Sequence, residues 1–265
     1  MKNIVLLVHE DGGQTARVEA ALDLARAFEG HLRCVDVTPV PVFPGDFDGT
    51  AAGLLLAEGR KTELANRKAI EGRLAREGVS WDFLDDLGDM AACLLSESRL
   101  ADVIVVNCKR DGWFDYDRRG LPAELVTHAR CPIVCVPDGA RGLPLGGTAM
   151  VAWDGSAPAA TALRGATPML ALADKVCILT VGEVIEGPRA EDAAAYLSRH
   201  GVKAEIHEIL ANDAPAPHLL DFAARQGAEY AVMGAYGQGR LAESVFGGVT
   251  QEMIETARLP LVLAR

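Results

Sequence analysis

The sequence predicts an α/β protein made of two tandem doubly wound units. Each is a mainly parallel five-stranded sheet with helices on both faces. Three observations predict this. Short runs that are apolar throughout, such as "IVLLV" (residues 4–8) and "VIVV" (103–106), read as parallel strands buried on both faces. They alternate with stretches of helix length, the order of βαβ units. The order also recurs: "ARCPIVCV" (129–136) aligns with "ARLPLVLA" (257–264), and "ADVIVVN" (101–107) with "AEYAVMG" (228–234). A strand repeated with its flanks points to duplication.

The elements follow in order. In the first half, "NIVLLVH" (3–9) is a strand and 14–30 a helix. "HLRCVDV" (31–37) is the second strand, and a Pro-rich loop (38–49) leads to a long helix around 54–78. "SWDFLDDL" (80–87) is a strand, 89–100 a helix and "DVIVVN" (102–107) a strand. A polar loop, a short helix over 121–129 and the strand "PIVCVP" (132–137) complete it. The segment "PDGARGLPLGGT" (137–148) holds four glycines and two prolines and reads as a linker. In the second half, "TAMVAWD" (148–154) is a strand and 156–173 a helix. Ser156 is its expected N-cap, and Pro168 is expected to kink it or end it early. "KVCILTV" (175–181) is a strand, and a helix over 189–201 ends on a C-cap glycine. The strand 203–210, the helix 216–227 and the strand 229–234 follow, then a glycine-rich loop, a helix over 249–257 and the strand 260–265. The expected domains are 1–138 and 149–265, joined by 139–148. The closing strands "PIVCV" (132–136) and "PLVLA" (260–264) are candidate sheet edges. Their pairing within one chain, as a pseudo-dimer, is expected because it covers an exposed apolar edge.

Composition excludes several classes. Of 265 residues, 37 are acidic and 26 basic, a formal charge of −11 that disfavours nucleic acid and anionic lipid as partners. No apolar run reaches the roughly 20 residues of a membrane span. The N-terminal apolar run reads as a strand and not a signal peptide, so a cytoplasmic protein is expected. The six cysteines form no Cys-x-x-Cys; Cys131 and Cys135, four apart, are expected on one face of one strand as core thiols. The six histidines are scattered without a metal-ligand spacing, so no metal site is expected. No G-x-S-x-G elbow marks a nucleophile. The carboxylates of "DYDRR" and "LDDL" read as solvated, and "WFDY" (113–116) as an aromatic cluster packing its loop down.

The loop "GAYGQGRLAESVFGGVT" (234–250) carries the chemistry. Ligands of doubly wound sheets sit outside the C-terminal strand ends, where this loop begins. Its glycines allow close backbone approach, and its end opens a helix whose unpaired N–H groups suit a phosphate. Arg240 adds a charge. A Walker A loop is absent; "GRKT" (59–62) lies within a helix. "GQGRLA" (237–242) matches G-x-G-x-x-A but lacks a following βαβ unit.

The spacing that fits is G-x-x-G-x9-G, on Gly234, Gly237 and Gly247. With "WDGS" (153–156) and the closing Pro-Leu-Val strand, the sequence resembles the universal stress protein family in its tandem form. The resemblance implies the adenine nucleotide α-hydrolase-like fold and a site for ATP or AMP, with or without Mg, in the second half. It assigns the nucleoside to Asp154, adenine to Val181, and phosphates to Gly234, Gly237, Gly247 and Thr250; Gly248 at the helix start still offers its N–H. It implies no catalytic residue. The family usually has Ser or Thr after the third glycine; Gly248 here forgoes a donor, about 1 kcal/mol of binding. In the first half, Asn107 and Arg110 face Gly234 and Gly237, and Gly120 keeps the third position. Asp154 faces His9, or Glu10 or Asp11 if the turn has shifted. That half is expected to be a degenerate partner domain.

The expected function is therefore a stress-response protein that holds an adenine nucleotide as a regulatory module. The alternatives are a ligand-free interaction protein with vestigial loops, and a slow ATPase or nucleotidyl-transfer enzyme at the same loop. The sequence leaves homodimerisation of the chain and any protein partner open.

Overall fold

The computed structural model describes residues 1–38, 50–108, 120–184, 187–236 and 248–265. The strands are β1 (Asn3–Val8), β2 (His31–Thr38), β3 (Ser80–Leu87), β4 (Val103–Asn107), β5 (Ile133–Val136), β6 (Thr148–Ala152), β7 (Lys175–Val181), β8 (Ala204–Ile209), β9 (Ala228–Gly234) and β10 (Leu261–Ala264). The helices are α1 (Gln14–Phe28), α2 (Thr50–Leu74), α3 (Met90–Glu97), α4 (Gly120–His128), α5 (Ala157–Leu170), α6 (Ala190–Arg199), α7 (Pro215–Gln226) and α8 (Gly248–Thr256). The strands join in one ten-stranded sheet of order β3-β2-β1-β4-β5-β10-β9-β6-β7-β8.

Within each half every pairing is parallel, and the two halves repeat the same order outward from the centre. The halves meet where β5 and β10 pair antiparallel, with Val134 opposite Val262. The expected intramolecular pairing is thus present, and the two five-stranded sheets become one. Both strands are fully buried, so the apolar edges that each half would expose cover one another.

Alternation along the strands builds two cores. Ile4, Leu6 and Val8 face the layer that holds α1 and α5, while Val5 and Leu7 face the layer of α3, α4, α7 and α8. The β4 run is buried at all five positions, which explains its continuous apolar sequence.

Local signals account for the ends. Ser156 caps α5, its Oγ accepting from Ala159 N at 3.2 Å. Pro168 sits in the last turn of α5, and the helix stops two residues later at Leu170 rather than at 173. Helix α6 stops at Arg199, and Gly201 beyond it takes φ +77°. Cys131 precedes β5 and is half-buried, so it does not share a strand face with Cys135 as expected.

Candidate functional site

In each half the chain leaves the first strand toward one side of the sheet and later returns to the other. The switch points are β1/β4 and β6/β9. In doubly wound sheets the ligand position lies there, at the C-terminal strand ends.

The second-half switch point gathers most of the predicted residues. Ala152 pairs with Leu179 on one side and Met233 on the other. Two residues further on, Asp154 and Val181 reach the same edge, with Gly234 closing β9 beside them. Asp154 is exposed, and its Oδ1 accepts from Ser156 N at 3.0 Å. Gly155 between them takes φ +76°, a turn that side chains disfavour. Val181 is half-buried and is followed by Gly182 at φ +80°.

Gly234 has a packing reason of its own. A Cβ there would lie 2.4 Å from Ala159 N and 2.7 Å from the Pro158 carbonyl carbon. The first turn of α5 rests directly on the end of β9. Gly248 opens α8 and is exposed, with nothing within 4 Å of a Cβ placed on it. Thr250 is buried, at 5% exposure, and its Oγ1 accepts from Tyr236 N at 3.5 Å. Tyr236, at φ +53°, is one of two non-glycine residues with positive φ among those described. The two ends of the glycine loop are therefore drawn together over the switch point. Gly237, Gly247 and Arg240 lie outside the described residues, as do Arg110 and the "WFDY" cluster.

The first-half switch point is filled by side chains. Arg17 of α1 is fully buried beneath it. Its Nε donates to Leu7 O (2.7 Å), Nη2 to His9 O (3.0 Å), and Nη1 to Asp11 Oδ2 (3.0 Å) and to Asn107 Oδ1. Burial pulls the guanidinium pKa down, and Asp11 opposes that pull. Asn107 Nδ2 in turn donates to Gly13 O, Val136 O and Asp138 Oδ1, each at 3.1 Å. Asp11 Oδ1 accepts from Gly13 N at 2.9 Å, as Asp154 Oδ1 accepts from Ser156 N. Asp11, and not His9, therefore occupies the place of Asp154, because the first-half turn is longer.

A reciprocal exchange links the halves. In the second half the strand end is glycine (Gly234) and the helix start carries side chains. In the first half the strand end is Asn107 and the N-cap of α1 is Gly13. A Cβ on Gly13 would lie 2.1 Å from Asn107 Nδ2. In the first half the Asn107 side chain fills the space a Gly13 side chain would need, whereas in the second half Gly234 lets the backbone of Pro158 and Ala159 close onto the strand end.

Next to the plug lies a buried acidic group that sequence reading did not single out. Asp36, near the end of β2, is 2% exposed, and Glu63 of α2 lies near it. Burial first, then the charges of Glu63 and Asp85, push the Asp36 carboxyl up to about 7. Glu63 Oε1 is 2.5 Å from His9 Nδ1. These residues come from β2, α2 and the turn after β1, so no local motif joins them.

Duplicated halves, parallel sheets and paired switch-point crevices define a tandem doubly wound α/β protein. Comparison with solved structures names the fold. A universal stress protein from Archaeoglobus fulgidus DSM 4304 superposes with a TM-score of 0.74 at 15% identity, over 99% of this chain and 97% of the other. A protein of unknown function from Pseudomonas aeruginosa PAO1 gives 0.59 at 17% identity, covering 98% and 91%. The chain has the tandem universal stress protein fold. No family model and no curated protein matches the sequence.

Proposed function

We propose that this chain is a stress-response protein that binds one adenine nucleotide, ATP or AMP, at the second-half switch point. The domains are 1–138 and 149–265, joined by 139–148. The observation that carries the reading is the contrast between the two crevices. Asp154, Val181, Gly234, Gly248 and Thr250 meet at one sheet edge, whereas the matching first-half edge is occupied by Arg17, Asp11 and Asn107. Gly237 and Gly247 complete the phosphate loop in this reading, and Gly248 supplies its N–H at the start of α8. Nucleotide acts by favouring the conformation that binds it better, a regulatory role and not catalysis. The charge of −11 argues against nucleic acid or anionic lipid as a partner. No helix among the described residues is long and apolar enough to cross a membrane; a cytoplasmic location is part of the proposal.

Calorimetric titration of the full chain with ATP, AMP and cyclic AMP tests it. One site per chain is expected, lost in Gly237→Asp and retained in Arg17→Met. Absence of both heat and thermal shift at millimolar nucleotide would refute binding. Turnover of Mg-ATP above that of Gly237→Asp would replace the regulatory reading with an enzymatic one.

A further inference from the structure

A second polar constellation lies on the outer edge of the second half, away from the nucleotide crevice. Strand β8 is the last strand of the sheet. Cys177 of β7 pairs with Glu205 of β8, and Leu179 with His207. Residues two apart on a strand share a face, so the three side chains all point toward α7. Their Sγ, carboxylate oxygen and imidazole nitrogen lie within 4.8 Å of one another.

We propose that Cys177, Glu205 and His207 form a metal site for a divalent transition ion, zinc by ligand chemistry. Thiolate, carboxylate and imidazole are the zinc donor types, and three protein ligands leave a fourth position for water. Thiolate and carboxylate together neutralise the ion. The ligand atoms need only contract to roughly 3.5 Å apart, the spacing set by zinc–ligand bonds of about 2.0–2.3 Å. His207 packs on the Phe222 ring at 4.9 Å, which orients its imidazole. Its Nε2 is buried, in no well-aligned hydrogen bond, and 3.5 Å from Glu205 Oε2.

The first half shows what this place accommodates. There Arg33 pairs with Asp82 in the register in which Cys177 pairs with Glu205. The Arg33 guanidinium is held by Asp82 at 2.9 Å and Glu97 at 2.8 Å. The first half carries its own cation at this position, and the second half carries a thiol with a carboxylate and an imidazole. Lys175 is the competing charge, 2.9 Å from Glu205 Oε2. Its Nζ also donates to Gln226 Oε1 at 3.1 Å, so it keeps a partner when the ion takes Glu205. Binding releases the Cys177 thiol proton to solvent and so strengthens as pH rises.

The test uses the full chain with cobalt(II) as the optical probe and zinc(II) as competitor. One cobalt per chain is expected, with a thiolate-to-cobalt charge-transfer band that zinc abolishes and the release of about one proton per ion. Cys177→Ser should remove the band. Glu205→Gln and His207→Ala should each weaken zinc by about tenfold or more, and Lys175→Ala should tighten it. No band in the unaltered chain, or a band that survives in Cys177→Ser, would overturn the site. So would unchanged zinc affinity in both Glu205→Gln and His207→Ala; Glu205 is an exposed side chain whose replacement leaves the core intact.

Discussion

Replacing Gly234 by alanine is the sharpest test of how the second-half crevice is built. The added Cβ would meet Ala159 N at 2.4 Å, the Pro158 carbonyl carbon at 2.7 Å and Ala159 Cα at 2.9 Å, where ordinary contact begins at 3.4 Å. All three atoms are backbone, so no side chain can swing aside. The turn they belong to is fixed by the Ser156 cap, and Ala159, Ala162, Leu163 and Ala166 are buried below it. Either α5 withdraws by about 1 Å along a packed face or β9 shifts within the sheet. Overpacking of this kind costs roughly 1–3 kcal/mol, and a rigid backbone on both sides puts the expected loss near 3 kcal/mol. Urea unfolding of the full chain would read it as a lower midpoint at unchanged slope. Gly248→Ala is the control, because its Cβ meets nothing within 4 Å, and its change should stay within about 0.5 kcal/mol. A Gly234→Ala loss below about 1 kcal/mol would refute the packing argument and return Gly234 to a purely ligand-facing role.

Four further outcomes are expected. Gly248→Ser should leave stability unchanged and tighten ATP several-fold in calorimetry, since it adds one donor, worth about 1 kcal/mol, at the exposed start of α8. Gly13→Ala should destabilise strongly by itself, and Asn107→Gly in the same chain should recover much of the loss; additive losses in the double-mutant cycle would count against the reciprocal exchange. Arg17→Met should cost about 3 kcal/mol or more in urea unfolding by removing the buried guanidinium that ties Leu7 O, His9 O, Asp11 and Asn107 together, while nucleotide affinity stays unchanged. Asp36 has a folded pKa raised from 3.8 to about 7, so its stabilising share is complete below about pH 4 and is lost as pH rises toward 7. Asp36→Asn should therefore gain on the unaltered chain as pH rises through that window, by at most about 1.4 kcal/mol for each tenfold fall in proton concentration; parallel pH profiles of the two would contradict the buried-carboxylate assignment.

Much of the fold was legible because its signals are local. Continuous apolar runs marked β1, β4 and β9, the Ser156 cap marked α5, and the "ARCPIVCV"/"ARLPLVLA" repeat marked strands that meet at the centre of the sheet. The proposed site was legible to the extent that its residues lie in short motifs: "WDGS" supplies Asp154, and the loop start supplies Gly234. The roles of those residues were less so. Gly234 reads as a ligand contact in a spacing pattern, yet its tightest neighbour is the backbone of α5, and the buried Thr250 hydroxyl accepts from Tyr236 N.

Three features required the tertiary structure. The Arg17 plug joins residues of α1, the turn after β1, and β4, with Arg17 and Asn107 ninety positions apart. Cys177, Glu205 and His207 meet only because β8 pairs with β7 in one register; shifted by one residue, the strand would turn Glu205 and His207 to the opposite face. The choice of Asp11 over His9 as the counterpart of Asp154 rests on which carboxylate accepts the N–H two residues on. The sequence alone determined the two halves, their strands and the loop on which the proposed site rests, because periodicity, caps and turns act between near neighbours. Only the folded chain decided which crevice is plugged and which carboxylates, thiol and imidazole share a space, because those depend on packing distances between segments far apart in the chain.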